Sequence, residues 1–170
     1  MTAGRGVQHS EMFPLLNDEK ENPLELFQIW LNLPKADKFV DPHFKMLWHE
    51  DIPVIKEDNA TVKVIAGNYR GNQANDPAPN SWAANEENEV AVWNIHIDAE
   101  TEFTLPKATN EVSRTLYFYE GDSIEIEGKK VTPNFGVVLD ASKETIIKIN
   151  SKQGHFLVLQ GKPIAEPVTK

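Results

Sequence analysis

His9 and Glu11 stand two residues apart in MTAGRGVQHSEM, residues 1 to 12 of a 170-residue chain. On a β-strand, residues i and i+2 project from the same face, so an imidazole and a carboxylate at this spacing can reach one metal ion. A mixed nitrogen and oxygen donor pair suits iron(II), manganese or nickel and leaves coordination positions open. Two donors alone make half a site. His96 and Asp98 in WNIHIDAE repeat the spacing, but Val90, Val92 and Trp93 leave the inward side of that strand undecided, and a solvent-facing pair is the expectation. His43 and His49 flank FKMLW in a stretch without period and are assigned no role. Gly4 and Gly6 around Arg5 permit positive φ at a tight bend feeding the ligand segment. With no third glycine and no following helix, they do not form a dinucleotide fingerprint.

Composition narrows the chemistry further. There is no cysteine, which removes thiolate metal sites, disulfides and thiol nucleophiles. A net charge of −9 without a basic run argues against direct nucleic-acid binding. No apolar run approaches the ~20 residues that cross a bilayer as a helix. The first residues lack the basic and apolar regions of a secretory signal, so the cytoplasm is the default expectation and no membrane contact is predicted.

The elements that must position these residues read as strands. LELFQIWLNL (24 to 33) alternates, with Phe27, Ile29, Leu31 and Leu33 on one face, and predicts a half-buried strand. The prolines of PKADKFVDPHFKMLWHEDIP predict an ordered linker. From Thr61 onward the runs TVKVIAG, NEVAVWNIHIDA, EFTLPK, RTLYFYEGDSIEI, KVTPNFGVVLD, ETIIKINS and GHFLVLQG recur between Gly, Pro, Asn and Asp clusters. Short strands at this spacing predict an all-β sandwich or barrel. The polar stretch GNQANDPAPNSWAANEENE (71 to 89) predicts a long loop over a barrel mouth. Tyr117, Phe118 and Tyr119 are expected in the core.

Residues 110 to 160, with a glycine-turned hairpin before a closing strand, resemble the second half of a cupin. Three blocks together, TAGRGVQHSEM with LELFQIWLNLP and FLVLQGKPIAEPV, resemble the pirin family of two-cupin proteins. The resemblance implies an all-β cupin jelly-roll barrel with a short remnant of a second cupin: residues 1–33 from an N-terminal cupin, 34–60 a linker, and 61–170 the C-terminal cupin. It also implies a non-haem iron held by three His and one Glu, of which His9 and Glu11 match the second pair. Glu11 would be both ligand and catalytic base, as in iron-dependent quercetin 2,3-dioxygenases acting on a flavonoid-like small molecule. The first pair, in a His-x-His-Arg-Gly motif, has no counterpart among His9, His43, His49, His96 and His155. The expected cofactor is therefore Fe(II) or another divalent transition metal, weakly held or absent. The chain thus resembles a pirin lacking most of its first cupin and its C-terminal return segment. A non-enzymatic regulatory or protein-interaction module is the alternative, with homodimerisation through unpaired strand edges around residues 24–33.

Overall fold

The computed structural model describes residues 1–109 and 111–167. Twelve strands account for nearly all of its regular structure: β1 (Val54–Glu57), β2 (Ala60–Ala66), β3 (Asn68–Tyr69), β4 (Asn72–Gln73), β5 (Ala91–Ile97), β6 (Glu102–Leu105), β7 (Ser113–Glu120), β8 (Ile124–Ile126), β9 (Lys129–Val131), β10 (Phe135–Leu139), β11 (Thr145–Ile149) and β12 (Gly154–Gly161). Single 3-10 turns occur at 35–37, 49–51, 82–84 and 86–88. The strands form a six-stranded sheet in the order β1-β2-β5-β12-β7-β10 and a four-stranded sheet in the order β6-β11-β8-β9, with β3 and β4 as a separate hairpin. The pairings are antiparallel throughout.

Alternation decides which residues meet between the sheets. Ala91, Trp93, Ile95 and Ile97 of β5 are buried while Val92, Asn94 and His96 face outward, and β11 buries Thr145, Ile147 and Ile149 while exposing Ile146 and Lys148. The resulting core joins Val62, Val64, Leu116, Phe118, Phe156 and Val158 of one sheet to Phe103, Leu105, Ile124 and Ile126 of the other. Each such side chain contributes roughly 1.5–3 kcal/mol by leaving water. Phe118 and Phe156 stack at 5.0 Å. A Cβ on Gly154 would lie 2.7 Å from the Phe156 ring, so glycine is what lets the start of β12 pass so close.

The barrel's first strand, β1, comes from the end of the stretch read as linker. Segment 24–33 corrects a second expectation, because it forms no strand. Its alternation is compatible with a ladder, but a ladder needs a hydrogen-bonding neighbour, and these residues instead lie across the outer face of the six-stranded sheet through side-chain contacts such as Phe27 on Tyr119, 4.9 Å between ring centroids. The unpaired strand edge expected there is consequently absent; the six-stranded sheet ends at β1 and β10 and the four-stranded sheet at β6 and β9. Tyr117 and Tyr119 also depart from expectation. Phe118 alone of the three is in the core, because successive strand residues point to opposite faces.

Candidate functional site

The first six residues are tied to residues 40–43. Thr2 pairs with His43 through two backbone hydrogen bonds, and Arg5 N–H donates to the Val40 carbonyl at 3.0 Å. Gly4, at φ +52°, lies so close that a Cβ would sit 2.1 Å from the Val40 oxygen. Glycine is required there on both counts. Beyond this anchor, His9 and Glu11 lie outside any strand, which corrects the expected ligand strand. Their side chains still converge, with His9 Nε2 3.6 Å from Glu11 Oε1, and both are about half exposed. Among the described residues no group of three or more His, Asp or Glu is gathered that could hold a metal ion. The donors present therefore fit a metal as a pair and do not form a centre, so no catalytic step follows from this chain's residues alone.

A second constellation lies where segment 71–89, which carries β4 and two 3-10 turns, borders a cleft on the barrel. Trp82 Nε1 donates to the Lys162 carbonyl at 2.8 Å and Asn88 Nδ2 to the Trp82 carbonyl at 2.8 Å, which fixes the crossing segment over the end of β12. Beneath it is a cleft of about 410 Å³ whose lining includes Trp93, Lys107, Arg114 and Gln160. Arg114 is 1% exposed. Its Nε and Nη2 donate to Gln160 Oε1 and its Nη1 to the Pro106 carbonyl, while its Cζ stands 5.8 Å from the Trp93 ring centroid. Burial lowers the Arg114 pKa from its ordinary value, and the charge of Glu89 acts in the opposite sense. Sequence reasoning missed Arg114, although its parity with Leu116 and Phe118 along RTLYFYE was the available signal.

The wall next to this cleft is braced by Tyr69. Its ring meets Trp93 edge-on at 5.2 Å, and its hydroxyl donates to Glu57 Oε1 at 2.8 Å and accepts from Arg70 Nε at 3.2 Å. Burial first, and then the hydrogen bond to Glu57, push the Tyr69 pKa up to about 12.

On the outer face of the six-stranded sheet, His96 and His155 are directly opposite across β5 and β12, and their rings stack at 4.5 Å. The outward direction of His96 agrees with the sequence expectation, but the ring is half buried and its Nε2 has no partner. Asn94 Nδ2 donates to the Tyr119 hydroxyl at 2.9 Å, which in turn donates to Glu25 Oε1 at 3.3 Å. Burial is the main cause that raises the Tyr119 pKa. His43 serves in the backbone pairing with Thr2, and His49 opens a 3-10 turn.

Two antiparallel sheets enclosing one apolar core, with a polar cleft on the barrel, define a cupin-type jelly roll. The family model for the pirin C-terminal cupin domain matches residues 92–170. Residues 92–170 thus belong to the pirin C-terminal cupin domain family, and along its whole length the chain is similar to curated pirins. It is 27% identical to pirin of Rattus norvegicus, with 100% of this chain aligned to 55% of that protein. It is 29% identical to a protein of Pseudomonas aeruginosa named as a candidate quercetin 2,3-dioxygenase, again over 100% of this chain and over 58% of the relative. A crystal structure of quercetin 2,3-dioxygenase from Acinetobacter baumannii superposes with a TM-score of 0.67 at 22% identity, covering 82% of this chain and 46% of the other, which is a likeness of fold. The chain spans about half the length of the curated relatives it matches. Among the described residues no helix is long and apolar enough to cross a membrane.

Proposed function

We propose that this pirin-type cupin contributes His9 and Glu11 as two donors to a divalent-metal site of the quercetin 2,3-dioxygenase kind, with the remaining donors supplied from outside residues 1–170. The convergence of the two side chains beyond an anchored glycine turn supports this reading. Residues 1–33 then act as the first cupin's share of the site and the C-terminal barrel as its support. In that arrangement Glu11 is placed to take a proton from a hydroxyl-bearing, flavonoid-like substrate, and Fe(II) is the metal its donor partners would favour. The test is a manganese(II) titration of the 170-residue chain followed by electron paramagnetic resonance, with His9→Ala, Glu11→Gln and, as a control for the stacked pair on the barrel, His155→Ala. Weak saturable binding lost in the first two variants and kept in the third is expected. Binding that survives His9→Ala with Glu11→Gln together would overturn the assignment, and so would dioxygen uptake with quercetin that survives it.

A second reading, a non-enzymatic interaction module, is favoured by one observation. Leu24, Leu26 and Trp30 leave large apolar surfaces uncovered, Trp30 being 89% exposed. Association of two copies through this segment would cover it and would also bring two His9 and Glu11 pairs into one assembly. Light scattering that returned monomer alone at tens of micromolar would remove that reading.

A further inference from the structure

Arg114 is a buried cation whose direct hydrogen-bond acceptors are neutral, the nearest opposing charge that acts on it being Glu89. Among the described residues it has no ion-pair partner, its hydrogen bonds going to the Gln160 side-chain oxygen and the Pro106 carbonyl. Burying a charge without an opposite charge is costly, and folds retain such an arrangement where something supplies the missing charge. The guanidinium is also held in a fixed plane. Gln160 Nε2 donates to the Glu89 carbonyl at 2.9 Å, so the oxygen facing Arg114 is set before any ligand arrives. Nε, Nη1 and Nη2 each donate once, which leaves one N–H free on each terminal nitrogen.

The same cleft is lined by a residue with a donor that has no partner at all. Trp93 is 3% exposed, and its indole Nε1 is buried without a hydrogen-bond partner. Buried polar groups are almost always paired, so the orphaned N–H of a tryptophan that shares a cleft with a guanidinium lacking an ion-pair partner indicates an absent acceptor. At about 410 Å³ the cleft falls within the size range of small-molecule sites. Its rim carries Arg70 and Lys107 against Glu86 and Glu89. Glu89 Oε2 is already occupied by the Thr109 N–H at 3.1 Å, and Arg70 is committed to Glu57 and the Thr104 carbonyl. Lys107 is the rim cation that is in no ion pair among the described residues, set against the charges of Glu86 and Glu89, and Arg114 and Trp93 lie with it in the lining. Val90, Ala91 and Pro106 supply apolar wall for its body.

We propose that the C-terminal barrel of this protein binds a small organic carboxylate in the cleft between Trp93 and Arg114, the carboxylate accepting from the free guanidinium N–H groups and from the Trp93 indole N–H. This site is separate from the His9 and Glu11 pair and stands whether or not that pair ever holds a metal.

Benzoate, benzamide and inorganic phosphate serve as probes on the full 170-residue chain. The chain has four tryptophans, so a nitrogen-15 correlation spectrum shows four indole N–H signals, and Trp93→Phe identifies the one that matters. Saturable movement of the Trp93 signal with benzoate, and none with benzamide, is expected. Trp93→Phe keeps an aromatic face for Arg114 and removes a single donor to an ionised acceptor, so benzoate affinity measured by calorimetry should fall at least about tenfold. Arg114→Met should abolish it; where that variant unfolds, Trp93→Phe carries the decision. An unmoved indole signal, an equal response to benzamide, or unchanged benzoate affinity in Trp93→Phe would overturn the proposal. A response to phosphate matching that to benzoate would overturn the carboxylate assignment in favour of an unselective anion site.

Discussion

Removing one oxygen, by Tyr69→Phe, separates the electrostatic role of Tyr69 from its packing role. The ring, fully buried and set edge-on to Trp93 at 5.2 Å, is retained. The hydroxyl's hydrogen bond to Glu57 and its acceptance from Arg70 are lost, while Arg70 Nε keeps Glu57 Oε1 at 3.3 Å. Near pH 8 the substitution should therefore cost about 1.5–3 kcal/mol, the net worth of a hydrogen bond to a charged group. Alkaline pH changes the balance. The folded state holds the phenolic proton to about pH 12 and the unfolded chain releases it near 10.0, so the folded state binds more protons between those values and stability falls as pH rises through them. Two pKa units correspond to about 2.7 kcal/mol when the transition is complete, of which about half, ~1.4 kcal/mol, is gone at pH 11. Below pH 10 this stability is fully present. Urea denaturation at pH 8.5 and pH 11 should show wild type losing ~1.4 kcal/mol more than Tyr69→Phe over the interval, so that the two proteins converge. Lysine deprotonation affects both equally and cancels in the difference. Parallel losses would refute the argument, because they would mean that the hydroxyl next to Glu57 titrates in the fold as it does in the unfolded chain.

Two further outcomes follow from packing. Gly4→Ala places a Cβ against the Val40 carbonyl at a φ of +52°, so residues 1–6 should detach from residues 40–43; trypsin should then cut after Arg5 several-fold faster, while the thermal midpoint of the barrel hardly moves because the core lies elsewhere. Phe156→Ala opens a cavity beneath the stacked Phe118, both rings being essentially without exposed surface, and should cost about 3–5 kcal/mol in urea denaturation with an unchanged slope.

Alternation made the barrel legible. The runs from Thr61 onward became strands, RTLYFYEGDSIEI and KVTPNFGVVLD two each, because their period-2 patterns and glycine turns agreed, as at Glu127 and Gly128, where φ values of +49° and +74° give the tight turn between β8 and β9. Segment 24–33 carried the same period and formed no strand. Period states which side chains share a face, whereas a ladder also needs a neighbouring backbone, and no such neighbour lies alongside these residues. Tyr117 and Tyr119 were misplaced for a related reason: a run of three aromatics on a strand cannot all face inward. Phe118 takes the core, and the β-bulge at His155 and Phe156 lets His155, opposite His96, approach Tyr119 on the outer face.

The two candidate sites were legible to different degrees. His9 and Glu11 are neighbours in sequence, so their spacing alone suggested a common target, and their side chains do approach each other. Arg114 is inward by simple parity with Leu116 and Phe118, yet nothing local states what it meets. Its partner Gln160 is 46 positions away, and Trp93 comes from a third strand. The decisive property is that among the described residues no carboxylate pairs directly with the guanidinium, Glu89 acting on it only through its charge, and that belongs to the folded arrangement of β5, β7 and β12. An arginine inside a cupin barrel could have been neutralised at small evolutionary distance by a glutamate at the position of Gln160, since the two side chains have nearly the same length and shape. Glutamine there keeps the geometry of an ion pair while withholding its charge, which leaves a charge for the proposed carboxylate to supply.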